Sequence, residues 1–204
     1  AVEKIGEAEP ALPTLRVNGE GTLSVLRYAQ RWKAKFVLGS TSDVYGNSRD
    51  LPFSEDGRCV LGSSTAKRWA YAVAKLYAEH QVMAFYKDAG LPCVVIRYFG
   101  GFSERSNTGW SGGHVPIFIR SVFEDRPIVI HGDGKQTRSM AHVSDLVRGT
   151  MLAMDSPRAV GEILNIGNDE ELSVLDTAKM VHRLARTGKP LKIRFVPMKK
   201  VFGS

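Results

Sequence analysis

Short runs of β-branched and other apolar residues alternate along this chain with longer amphipathic stretches, and that alternation restricts its fold more than any other feature. The runs are Phe36-Val37-Leu38, Cys93-Val94-Val95-Ile96, Ile128-Val129-Ile130, Ile163-Leu164-Asn165-Ile166 and Ile193-Arg194-Phe195-Val196. Their length suits strands buried on both faces rather than helices. Between and around them, helices are predicted near 19–31, 66–88, 114–125, 143–154 and 173–186. In the second of these, Trp69, Val73, Leu76, Tyr77, His80 and Ala84 share one stripe at helical spacing. The last opens on Ser173 with Asp176 three residues later, a capping box with aspartate in place of glutamate. Strands interleaved with helices predict an α/β fold with a largely parallel sheet. The stretch 100–116, with Gly100, Gly101, Gly109, Gly112, Gly113 and Pro116, reads as a long loop.

Composition narrows the function classes. With 204 residues and 43% hydrophobic content, the chain can bury one substantial core. No run approaches the ~18 apolar residues of a membrane span, and the opening residues Ala1-Val2-Glu3-Lys4 do not resemble a secretory signal. Cys59 and Cys93 fit no metal-ligand or CxxC spacing, so free thiols in a reducing, cytoplasmic setting are expected. The net charge of +7 raises nucleic acid as a partner, but its distribution speaks against one. No acidic residue follows Asp176, whereas Lys179, Arg183, Arg186, Lys189, Lys192, Arg194, Lys199 and Lys200 do. That tail has only Phe195 and Phe202 as stacking aromatics, so a solvated basic face is expected.

Two segments carry chemistry. Tyr71 and Lys75 stand four residues apart in a predicted helix, which puts phenol and ammonium on one face, one turn apart. An ammonium held beside a phenol favours the phenolate, and such a tyrosine can act as a general base toward a hydroxyl. Upstream, Ser40-Thr41-Ser42-Asp43-Val44-Tyr45-Gly46 directly follows the strand at Phe36–Leu38. The C-terminal end of a strand is where open parallel sheets bind ligands. Thr41 is placed to hydrogen-bond a reacting oxygen, and Asp43 offers a carboxylate for a second proton transfer. The other reading of this segment is a Ser/Thr/Asp turn that merely caps the next stretch of chain.

These pieces resemble, in order, an extended short-chain dehydrogenase/reductase of the NAD-dependent epimerase/dehydratase family. Asn18 to Thr22 is similar to its N-x-x-G-T helix, Ser40–Gly46 to its S-[ST]-x-x-V-Y-G segment, and Tyr71 with Lys75 to its catalytic pair. Arg97-Tyr98-Phe99 resembles a strand end of that family, and residues 132–139 with 143–146 its nucleotide-sugar site. Gly161, Asn165 and Gly167 complete the pattern.

The resemblance implies a Rossmann-like, doubly wound, largely parallel sheet with a smaller C-terminal α/β substrate-binding portion. Residues 1–100 would form the C-terminal part of the NAD-binding domain. Residues 101–204 would form mainly the nucleotide-sugar portion, with the chain crossing back near 140–167. It implies NAD as cofactor, met by Ser40, Tyr71, Lys75, Tyr98 and Phe99, and catalysis by Thr41, Asp43, Tyr71 and Lys75. Ser42, Gly100 and Arg138 would contact a nucleotide sugar, a UDP-sugar being expected, with Arg138 on its diphosphate and Asn18 tying helix to strand. The implied reaction passes through a transient 4-keto sugar, as in a 4-epimerase, a dehydratase or a UDP-glucuronate decarboxylase, in a homodimer. Gly100 departs from the asparagine the family often has there. No glycine-rich pyrophosphate turn occurs in the first hundred residues, so a segment carrying it is expected to precede this chain. A catalytically inactive binding module of the same fold, with nucleic acid as its partner, is the second reading.

Overall fold

The computed structural model describes residues 11–107 and 113–197. They fall into two units, one running to Phe99 and including Leu146–Ile166, the other comprising Gly100–Asp145 and the residues from Gly167 on.

The first unit is built on three strands, β1 (Phe36–Thr41), β2 (Cys93–Tyr98) and β6 (Ile163–Ile166), in the order β1-β2-β6 and all parallel. Phe36 stands opposite Cys93 and Thr41 opposite Tyr98, so the ends of β1 and β2 are level. Parallel neighbours need crossovers, and α3 (Ala70–Ala89) and α5 (Val143–Asp155) supply them. Cys93 and Val95 bury against Leu26, Leu38, Ala78, Val82 and Leu91 on one face. Val94 and Ile96 bury against Ala153 and Ala159 on the other. That two-sided burial is why β2 reads as an unbroken apolar run rather than an alternating one. Lys35 donates to the carbonyls of Ala153 and Met154 in the last turn of α5, a cation at the helix end where the dipole favours it.

The helix predicted to begin near residue 19 starts earlier, as α1 (Ala11–Arg16), and runs through a wide turn at Val17–Gly21 into α2 (Thr22–Trp32). Within that wide turn Gly19 packs against the Tyr77 ring of α3, where a Cβ would make ordinary contact at 3.4 Å. Asn18 Nδ2 donates to Thr14 O at 2.8 Å, inside its own helix rather than to a strand as expected.

The predicted apolar stripe of α3 is not its buried face. Ala72, Ala74, Ala78, Glu79 and Val82 are buried, while Val73 and Tyr77 are exposed. Small side chains bring the helix backbone close to the sheet, which a face of large residues would hold away.

In the second unit β3 (Gly100–Phe102) pairs in parallel with β5 (Thr137–His142), which pairs antiparallel with β7 (Glu171–Ser173). A separate parallel pair, β4 (Ile128–His131) and β8 (Ile193–Val196), carries α4 (His114–Phe123) and α6 (Val174–Ala185). Phe118, Val122, Ile128, Ile130, Val174 and Ala178 form that core. Ser173 caps α6 as its sequence requires, accepting from Asp176 N at 2.9 Å and donating to the Asp176 carboxylate at 2.6 Å. The loop expected over 100–116 is a strand at its start and a helix from His114, and its residues 108–112 lie outside the described ones. No described helix is long and apolar enough to cross a membrane.

Candidate active site

The C-terminal end of β1 gathers the chemistry of the first unit. Thr41, the last residue of the strand, caps a short 3-10 turn at Ser42–Tyr45, and its Oγ1 accepts from Asp43 N at 3.2 Å. That bond uses an oxygen lone pair and leaves the hydroxyl proton to donate elsewhere. Asp43 is exposed on the turn, Ser42 half-buried, and α3 packs against both the strand and the turn.

Lys75 on α3 donates to Gly39 O at 2.9 Å, which ties the helix to β1 two residues before Thr41. Its ammonium stands 6.0 Å from the centre of the Tyr71 ring, one helical turn away. Burial pushes the Lys75 pKa down, and the charge of Glu79 opposes that fall. Tyr71 itself is 39% exposed, so its ring is open to a ligand in a way the alanine face of α3 is not.

Beneath these residues lies a buried polar network that sequence reasoning did not assemble. Arg97 on β2 grips Glu79 with two nitrogens, Nη2 to Oε2 at 2.7 Å and Nε to Oε1 at 3.0 Å. Its Nη1 donates to Tyr45 Oη and to Glu55 O, each at 2.9 Å. Tyr45 in turn donates to Asn165 Oδ1 at 2.8 Å, and Glu55 accepts from Asn165 N at 2.8 Å. Burial works against the Arg97 charge, but Glu79 and Tyr45 together offset it and hold the guanidinium's pKa above its ordinary value. Two signals pointed here. A charged residue in the apolar run of β2 requires a buried partner, and Glu79 continues the Tyr71, Lys75 spacing by one more turn.

The remaining expected contacts differ in the direction they face. Ser40 is buried and its hydroxyl donates to Glu79 Oε1 at 2.5 Å, so its side chain faces the interior, and only its main chain lies at the strand end. Tyr98 turns to the opposite face of the sheet, where its hydroxyl meets Thr150 Oγ1 of α5 at 2.7 Å. Phe99 continues from β2, with its N–H on Ile166 O, and its ring lies 6.4 Å from each of the stacked pair Tyr45 and Phe53.

In the second unit Arg138 is exposed on β5, opposite Leu172 of β7. Its charge adds to burial in lowering the pKa of His114, whose Nε2 is buried without a hydrogen-bond partner. At Gly100 a Cβ would meet Ser139 O at 2.7 Å and Met140 Sδ at 2.6 Å, so glycine is what permits the β3–β5 pairing. An asparagine at this position would have to displace β5. Gly100→Ala is expected to lower stability by about 1–3 kcal/mol through overpacking. Urea unfolding checks this, and an unmoved midpoint would show that β5 yields freely.

A family described as the NAD dependent epimerase/dehydratase family matches residues 5–167. A UDP-N-acetyl-alpha-D-glucosaminuronate decarboxylase of Bacillus cytotoxicus is 37% identical over 194 residues, covering 95% of this chain and 59% of that protein. UDP-glucuronic acid decarboxylase 1 of Xenopus tropicalis is 34% identical over 87% of this chain and 41% of its own length. Among solved structures, the UDP-glucuronic acid 4-epimerase of Bacillus cereus in complex with UDP-glucuronic acid and NAD superposes with a TM-score of 0.82. It is 30% identical, over 95% of this chain and 59% of that one. The chain thus spans three-fifths or less of these relatives.

Proposed function

This chain belongs to the NAD dependent epimerase/dehydratase family, and we propose that it carries the catalytic residues of an enzyme acting on a UDP-linked uronic acid through a transient 4-keto sugar. The observation that supports this most is the Tyr71–Lys75 pair fixed by Gly39 O at the end of β1, beside Thr41. The relatives named as decarboxylases and the 4-epimerase bound to UDP-glucuronic acid supply the substrate class.

The residues at the end of β1 fit NAD by their donor chemistry. An ammonium carries three donors and Gly39 takes one, so Lys75 retains donors for ribose hydroxyls, alongside the Gly39–Thr41 main chain and Tyr71. NAD held there would supply hydride-accepting chemistry for the sugar carbon that is oxidised. Tyr71, as phenolate, accepts the proton of the C4 hydroxyl, and the nearby Lys75 charge stabilises that phenolate. Thr41 donates its free hydroxyl proton to the same sugar oxygen. A C4 ketone lies β to the carboxylate of a uronate, so carbon dioxide can leave, and Asp43 is suited to deliver the proton that completes that path. Where the carboxylate is retained, the product would be the C4 epimer instead.

Arg138, by its guanidinium chemistry, is suited to phosphate oxygens. The two thiols are free, and burial pushes that of Cys93 up to about 11, which keeps it protonated and unreactive; a cytoplasmic location is part of the proposal. A homodimer completes the proposal. Val25, Tyr28 and Trp32 of α2 are 53%, 64% and 77% exposed, and Val73 and Tyr77 of α3 add to this apolar surface. Trp32→Glu is expected to shift sedimentation toward the monomer, and a purely monomeric parent chain would remove the dimer.

The reaction is tested by incubating the full-length protein, including the segment expected to precede this chain, with NAD and UDP-glucuronate or UDP-glucose, with products identified by NMR. A UDP-pentose with carbon dioxide marks decarboxylation, and a C4 epimer marks epimerisation. Both substrates returned unchanged would overturn the enzymatic reading.

A further inference from the structure

Tyr71, Lys75 and Glu79 form a column along α3, each one turn from the next, and the third member has no role in the reaction just proposed. An acid is an unusual choice for the buried face of an alanine-rich helix, because burying a carboxylate is costly unless its charge is used. Glu79 is 2% exposed and touches both strands that carry the site. Its Oε1 accepts from Ser40 on β1, the residue between the Gly39 carbonyl that receives Lys75 and the Thr41 that caps the turn. The same carboxylate accepts two bonds from Arg97 on β2. The helix is thus pinned to β1 twice, one turn apart, once by Lys75 and once by Glu79.

We propose that Glu79 is a positioning residue for catalysis: its carboxylate locks α3 to β1 through Ser40 and supplies the negative charge that keeps the Lys75 ammonium in place beside Tyr71. The inference rests on the reading of Tyr71 and Lys75 given above. Arg97 alone would make the neighbourhood of Lys75 more positive and favour the uncharged amine. The Glu79 charge acts in the other direction and opposes the fall that burial causes. Asp56, His80, Lys87 and Glu162 line the same hollow as Glu79 and Arg97. Tyr71 lies beyond Lys75 on α3, and Asp43 is exposed on the turn after β1. In the loop before α3, Glu55 bonds Asn165 N, and the Cys59 thiol is pushed up mainly by burial.

The test is the titration of Lys75 in the full chain, followed by NMR of its side-chain carbon after lysine-specific labelling. The resonance is assigned as the one missing in Lys75→Arg. Glu79→Gln keeps the size and removes the charge, giving up one acceptor toward Arg97, and Lys75 is expected to lose its proton at lower pH than in the parent. Glu79→Asp, which restores the charge, is expected to bring the titration back toward the parent. If Glu79→Gln does not fold, Glu79→Gln combined with Arg97→Met removes both buried charges and carries the same expectation. A folded charge-free variant in which Lys75 titrates as in the parent overturns the proposal, because a merely structural glutamate would leave that titration unmoved. The measurement needs no substrate. Loss of the enzymatic reading and loss of this role for Glu79 are therefore separate results.

Discussion

Tyr71→Phe is expected to lower kcat by about 10²–10⁴-fold with KM little changed, the usual contribution of a general base in the transition state. The change removes one oxygen from a ring that is 39% exposed, so it leaves the packing of α3 on the sheet untouched. What disappears is the one group, among the described residues of this site, placed to take the hydroxyl proton with an ammonium beside it to favour the charged form. Thr41 cannot substitute, since a hydroxyl with no base beside it is a donor rather than an acceptor of that proton at neutral pH. Steady-state kinetics on the accepted UDP-sugar decide the matter. A variant with full turnover would remove Tyr71 as the base, whereas a matched fall in activity and in thermal midpoint would make its role structural.

The second large effect concerns folding. Arg97→Ala is expected to destabilise the chain by about 3–5 kcal/mol, the range for breaking a buried ion pair from one side. Against a total stability of about 5–15 kcal/mol for a typical domain, that is a large fraction. Arg97 and Glu79 are 3% and 2% exposed, so neither charge can recover water when the other is lost. The truncation also takes away the donor to Tyr45 Oη and to Glu55 O, loosening the segment between β1 and α3. Arg58 makes an equally short contact with Asp50, at 2.8 Å, but on the surface. Arg58→Ala should leave the urea midpoint nearly in place, because exposed pairs are screened and hydrated. Equal losses in the two variants would mean that burial of the Arg97 pair contributes nothing beyond the contact itself.

Much of the architecture was legible beforehand because it is local. The five apolar runs are strands, and the five predicted helices form, four with ends displaced by a few residues and the first beginning eight residues early at Ala11. Tyr71 and Lys75 share a face simply because 3.6 residues make a turn. Ser173 caps α6 because the bond it makes reaches only three residues along the chain. The strands β3, β5 and β7 were missed for the complementary reason. β3 and β7 are three residues long and β5 is mostly polar, and all three exist through pairing with partners far away in sequence rather than through their own pattern.

The candidate site divides along the same line. Sequence by itself determined that a phenol and an ammonium lie together on a helix, and that small hydroxyl residues follow a buried strand. Tertiary structure alone decided that Ser40 turns inward to Glu79 while its neighbour Gly39 receives Lys75, and that Tyr98 faces the opposite helix. It also decided that the alanines of α3, not its larger apolar residues, meet the sheet. A repeat of 3.6 or 2 residues says which side chains share a face. Which way that face points depends on crossovers that join residues such as Tyr45 and Asn165, 120 positions apart, and no local period encodes them.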